Sequence, residues 1–162
     1  VSEIATEPPA PVCPPRVDFA FGASDKWRAA CTTLARHFEA GHSVVVYCSQ
    51  ADVLQQFDLL LWGFDPAAFI PHVMADDPLA ARTPIILTDA PLEPDAANKP
   101  QAWLLNLDSH CPPMMGQYPR ILEVVSQTET DTAAARVRWR HYQQQGCTLR
   151  SHDLRAQFQP QQ

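Results

Sequence analysis

The run from Ser43 to Cys48, with Val44, Val45, Val46 and Tyr47 at its centre, most constrains what this chain can fold into. A strand with one wet face alternates apolar and polar side chains. A nearly continuous β-branched run instead needs apolar cover on both faces, the situation of an interior strand in a parallel sheet. Parallel neighbours must be joined by long crossovers, usually helices. The flanking sequence supplies them. Arg16 to Phe21 sets Val17, Phe19 and Phe21 against Asp18 and reads as a strand, after which Ser24 is placed to cap a helix carrying Trp27, Ala30, Cys31, Leu34 and Phe38, closed by Gly41. Ser49 with Asp52 reads as a capping box for a second helix, with Val53, Phe57, Leu60 and Leu61 inward up to Gly63.

Three further apolar runs, Pro84 to Thr88, Trp103 to Leu107 and Ile121 to Val125, read as strands between loops rich in proline and aspartate. Thr130 is expected to cap a last helix that reaches about Gln145 and stops at Gly146, with Ala135, Trp139 and Tyr142 inward. The pattern predicts an α/β fold, a largely parallel central sheet with helices on both faces, and no internal repeat. At 162 residues, 46% of them hydrophobic, the chain fills one core rather than two. Residues 16–155 are expected to form that single domain. Residues 1–15 hold five of the sixteen prolines, two glutamates and no base, and read as a flexible tail; residues 156–162 read as a disordered C-terminal tail. No charged start with an apolar run marks a signal peptide and no stretch reaches the length of a membrane span, so a soluble, cytoplasmic protein is expected.

The stretch from Leu59 to His72 is the least loop-like of the connections. Leu59-Leu60-Leu61-Trp62-Gly63-Phe64 is followed by Asp65-Pro66-Ala67-Ala68-Phe69-Ile70-Pro71-His72, a concentration of large apolar side chains that is either buried or open to a partner.

Chemistry is harder to find. Gly22, Gly41, Gly63, Gly116 and Gly146 stand alone, so neither dinucleotide fingerprint nor P-loop is present. His37, His42, His72, His110, His141 and His152 include no metal-ligand spacing, and Cys13, Cys31, Cys48, Cys111 and Cys147 include no CxxC pair. No catalytic residue, metal or cofactor is expected. The net charge of −6 speaks against strong direct nucleic-acid binding. From Arg120 onward, however, six of the twelve bases (Arg120, Arg136, Arg138, Arg140, Arg150, Arg155) meet only four acids. Arg136 and Arg140, four apart, share a helix face beside Trp139, near Val124 and Val125. Guanidinium groups next to an apolar pocket suit a chain-terminal carboxylate or an acidic peptide, against the plainer alternative of a solvated basic helix face. Two functional readings remain open from the residues alone: a small α/β nucleotide-binding enzyme with a site near His72, Asp76 and Asp77, and a single-stranded DNA binder using the C-terminal arginines with Trp139.

Val17-Asp18-Phe19 before the first helix, Phe57-Asp58-x-x-Leu61-Trp62 through Phe69-Ile70-Pro71-His72, and Arg136-x-x-Trp139-x-x-Tyr142-x-x-x-Gly146 together resemble the chi subunit of bacterial DNA polymerase III, from about Arg16 to Leu154. The resemblance implies a Rossmann-like three-layer fold without the dinucleotide fingerprint, and a non-catalytic clamp-loader accessory protein with two binding faces. One, at Trp62, Phe69, Ile70, Pro71 and His72, would receive the psi subunit or an equivalent clamp-loader partner. The other, at Val125, Arg136, Trp139 and Arg140, would receive the acidic C-terminal tail of single-stranded DNA-binding protein (SSB), with Arg136 as carboxylate clamp. Thr132 stands where members of that family can carry a further base, which implies a weaker grip on the acidic stretch.

Overall fold

The computed structural model describes residues 14–155. Seven strands and three helices follow one another among them: β1 (Arg16–Ala23), α1 (Lys26–Glu39), β2 (Val44–Tyr47), α2 (Ala51–Gly63), β3 (His72–Met74), β4 (Ile85–Thr88), β5 (Trp103–Asn106), β6 (Arg120–Ser126), α3 (Glu129–Gln144) and β7 (Thr148–Asp153). The strands form one sheet in the order β3-β4-β2-β5-β6-β1-β7, and every pairing is parallel. Among the described residues no helix is long and apolar enough to cross a membrane.

The valine run takes the interior place its composition demands. All four residues of β2 are buried, and Val44 sits in register between Ile85 of β4 and Trp103 of β5. Alternation then sorts the side chains onto the two faces of this one sheet, so the single domain packs its core in two layers. Val44, Val46, Ile85, Leu87 and Leu105 pack under α1 and α2 with Leu34, Leu54, Phe57 and Leu61. Val45, Ile86, Leu104, Ile121 and Val125 pack on the opposite face under α3 and the long loops, with Ala135, Tyr142, Met114 and Tyr118. Each large side chain so buried contributes about 1.5–3 kcal/mol. The result is a three-layer, Rossmann-like α/β sandwich.

The helix starts differ from expectation in detail. Asp25, not Ser24, caps α1, accepting from the amides of Trp27 and Arg28 at 3.1 and 3.2 Å. Thr128, not Thr130, caps α3 and accepts from Asp131 N–H. The Ser49/Asp52 capping box does not form: Gln50 occupies the N-cap position of α2 without a side-chain bond. In each case a competing polar residue stood one or two positions away, and a local pattern cannot rank such neighbours.

Two strands also escaped the pattern. β3 has three residues, and β7 is the polar sequence Thr-Leu-Arg-Ser-His-Asp. Both lie at sheet edges, where shortness and polarity discourage pairing with another chain and also erase the hydrophobic period. Of the expected N-terminal tail, Pro15 is already buried and Arg16 N–H donates to the Pro119 carbonyl at 3.2 Å, so anchorage begins there; residues 1–13 and 156–162 lie outside the described residues.

Gly146 ends α3 with φ of +80°, and its N–H donates to the Gln143 carbonyl. A Cβ there would meet only Pro14 Cγ at 3.7 Å, an ordinary contact, so the cost of Gly146→Ala is conformational. The left-handed backbone should make it about 1–2 kcal/mol, read as a lower urea midpoint. An unchanged midpoint would contradict the requirement for glycine.

Candidate functional site

α3 sorts its arginines by position. Ala135, Arg138 and Tyr142 are buried, whereas Arg136 and Arg140 are exposed and Trp139 is half-buried. Trp139 leans on Phe19 with ring centroids 5.1 Å apart, and it borders the same core cluster as Val125. Val125 itself is only 3% exposed, so the apolar surface beside Arg136 and Arg140 is the half-buried Trp139 ring on one flank and Val137, 63% exposed, on the other. Thr132 brings no charge to this face, and its hydroxyl donates back to the Thr128 carbonyl at 2.8 Å.

The inward-facing position of Arg138 was not legible as such; Trp139 was expected there. Arg138 reaches Glu123 in β6, with Nε 3.1 Å from Oε2, and both side chains are essentially closed to solvent. Tyr142 Oη and Asn106 Nδ2 donate to Glu123 Oε1 at 2.6 and 2.9 Å, and Arg138 Nη1 donates to the Ser109 carbonyl at 3.1 Å. Burial raises the Glu123 pKa above the usual carboxylate value, against the pull of Arg138, Asn106 and Tyr142. One of the six C-terminal bases is therefore spent inside the fold. The presentable charge on α3 is carried by Arg136 and Arg140.

On the opposite side of the molecule, α2 carries the apolar stretch almost to its end. Leu59 is 71% exposed, Trp62 48% and Phe69 72%, with Trp62 and Phe69 ring centroids 5.8 Å apart. Ile70 and His72 are buried at 3% and 2%, while Pro71 is half-buried. His72 Nδ1 donates to the Ile70 carbonyl at 2.7 Å, its Nε2 lies 3.2 Å from Asp58 Oδ1, and its ring stands 4.0 Å from that of Trp62. Of the five residues expected on this face, Trp62 and Phe69 can therefore meet a partner directly. Ile70 and His72 hold them in place from beneath. Leu59, three residues before Trp62 and hence on the same helix face, belongs with the exposed pair; that spacing was visible in the sequence.

Two of the three residues of the enzyme alternative are occupied structurally, and the third, Asp76, is exposed. His72 is bound as above, and the Asp77 carboxylate accepts from the Leu79 amide at 2.8 Å in a turn. Burial pushes the Cys31 thiol up to about 12 and Cys111 up to about 11, and it raises Cys48 and Cys147 as well. These groups stay protonated near neutral pH and lack thiolate reactivity. Cys13 lies outside the described residues. Among the described residues, no group of three or more His, Cys, Asp or Glu side chains could hold a metal ion.

Residues 15–150 match the family model described as DNA polymerase III chi subunit, HolC. The DNA polymerase III subunit chi of Pseudomonas aeruginosa is 28% identical over 143 residues, covering 86% of this chain and 96% of that protein. The subunit chi of Haemophilus influenzae is 24% identical over 126 residues, covering 77% of this chain and 85% of its own length. Since the family match runs through the whole sheet, from β1 into β7, and takes in both the arginine face of α3 and the apolar face of α2, the chain belongs to the DNA polymerase III chi subunit family.

Proposed function

We propose that this protein is a cytoplasmic replication adaptor that binds the acidic C-terminal tail of SSB on the α3 face and a clamp-loader partner, psi or its equivalent, on the α2 face. Family membership already makes it an accessory, non-catalytic subunit of the polymerase III holoenzyme. The observation that carries the finer reading is the pairing of Arg136 and Arg140, exposed one turn apart, with the half-buried Trp139 on their flank. A terminal carboxylate takes a guanidinium fork, the last aromatic side chain takes the indole face, and preceding aspartates take the second arginine. The surrounding protein is acidic, so it repels nucleic-acid backbone while this one face attracts an acidic tail. The decisive experiment is a titration with a labelled peptide ending in Asp-Ile-Pro-Phe and with the same peptide lacking the final phenylalanine.

For the second face, Leu59, Trp62 and Phe69 form an exposed apolar cluster on a firm base, the usual make-up of an interface hot spot. Trp62→Ala with Phe69→Ala should abolish co-purification of the clamp-loader partner, a loss of at least about 2 kcal/mol, while leaving SSB-tail binding intact. Retention of the partner by the double variant would place its docking surface elsewhere.

A further inference from the structure

A groove runs along α1 toward the β7 edge of the sheet, on the face opposite α3. Its two halves, cavities of about 330 and 480 Å³, share Thr33, Arg36 and Leu154 and so form one channel between α1 and the β1–β7 edge of the sheet. The first question is how much of its charge is uncommitted. Asp18 is buried and bound by Arg16, Arg120 and His152. Asp25 caps α1, Glu123 is held by Arg138, and Asp153 is paired with Arg155. The carboxylates in and around the channel are thus already engaged. Arg28 and Arg36 are exposed, and neither makes an ion pair among the described residues.

The spacing of these two cations selects a ligand shape. Eight residues apart on a helix, they lie about 12 Å apart along its axis, near one face. In an extended peptide, residues i and i+4 point the same way and are separated by about 13 Å, with residue i+2 aimed the same way between them. Thr32 lies midway between the arginines on α1, and Ala29 and Leu154 add small or apolar walls suited to one aliphatic side chain. No Phe, Tyr or Trp lines either half of the channel, so there is no platform on which bases could stack.

We infer that this groove is a docking site for an extended acidic segment of a partner protein, of the pattern acid-x-apolar-x-acid, whose carboxylates pair with Arg28 and Arg36 and whose aliphatic side chain enters the cavity beside Leu154. The site is separate from the proposed SSB-tail face and does not need a free C-terminus. The test uses the full chain and a labelled peptide, Ser-Glu-Ser-Leu-Ser-Glu-Ser, acetylated and amidated so that no terminal carboxylate is available to Arg136. Binding should be saturable and should weaken about tenfold or more in the Arg28→Ala/Arg36→Ala variant. It should weaken likewise in Thr32→Trp, which plugs the groove from an exposed position, and it should persist in Arg136→Ala. Unchanged binding by both groove variants would overturn the inference, and so would loss of binding in Arg136→Ala. Two further results would assign the groove to another occupant and overturn it equally. One is tighter binding of an oligothymidylate than of the peptide; the other is self-association that the double arginine variant abolishes.

Discussion

Arg138→Ala should be the most damaging single substitution outside the aliphatic core, costing about 3–5 kcal/mol of stability. The reason is what it leaves behind. Glu123 has no access to water, and Arg138 is its charged partner. Removing the guanidinium strands the carboxylate with the hydroxyl of Tyr142 and the amide of Asn106 as its hydrogen-bond donors, and frees the Ser109 carbonyl that ties the β5–β6 connection to α3. Domains of this size have about 5–15 kcal/mol in total, so the variant should show a melting temperature lower by roughly 10 °C. A paired change separates stranding from simple loss of contact. Glu123→Gln combined with Arg138→Met removes both charges, keeps an acceptor for Tyr142, and should recover much of the loss, because a buried ion pair itself adds little over a neutral pair of similar shape. A loss below about 1 kcal/mol for Arg138→Ala, or a double variant no better than the single, would refute this account of the pair.

Arg136→Ala should weaken binding of the SSB tail peptide by about 2–5 kcal/mol, at least about 30-fold, with no change in melting temperature. Arg136 is solvent-exposed in the free protein, so its removal leaves the fold unaffected. Once the peptide's last aromatic ring covers Trp139, however, the carboxylate beside it loses water and depends on the guanidinium. Arg140→Ala, opposite the more exposed aspartates, should cost less, and its effect should fade as salt shortens the Debye length toward about 8 Å and below. Because Arg138 is buried against Glu123 and position 132 holds a threonine, no third arginine on α3 compensates. Equal losses for Arg136 and Arg140, vanishing together in salt, would mean a diffuse electrostatic patch rather than a clamp.

The helices that position these sites were readable because their signals are periodic. Ala30, Cys31 and Leu34 on α1, and Leu54, Phe57 and Leu61 on α2, recur at helical spacing, and Gly41, Gly63 and Gly146 mark the ends. The Arg136/Arg140 face was readable for the same reason. What periodicity could not separate was Arg138 from Trp139. On the apolar scale tryptophan belongs inside and arginine outside, yet the buried acceptor that reverses this, Glu123, lies on another strand. The apolar stretch after α2 divided in the same way. Phe69, Ile70, Pro71 and His72 read as one sticky segment, but β3 begins at His72, and pairing with β4 turns Ile70 and His72 into the core while leaving Phe69 outside.

The α/β class, the interior strand at Val44–Tyr47 and the family were legible in the residue order, because each rests on patterns of side chains near one another along the chain. Which charges are spent and which remain available emerges only once distant segments pack together. Glu123 neutralises Arg138, Asp18 occupies Arg16 and Arg120, and Asp131 engages Lys26 at 3.4 Å, pairings that mostly join distant parts of the chain. Arg136 and Arg140 on α3 and Arg28 and Arg36 on α1 are among the bases left without an ion pair in the described residues, a difference between charge present and charge consumed. Only the first of those quantities is written in the order of the residues.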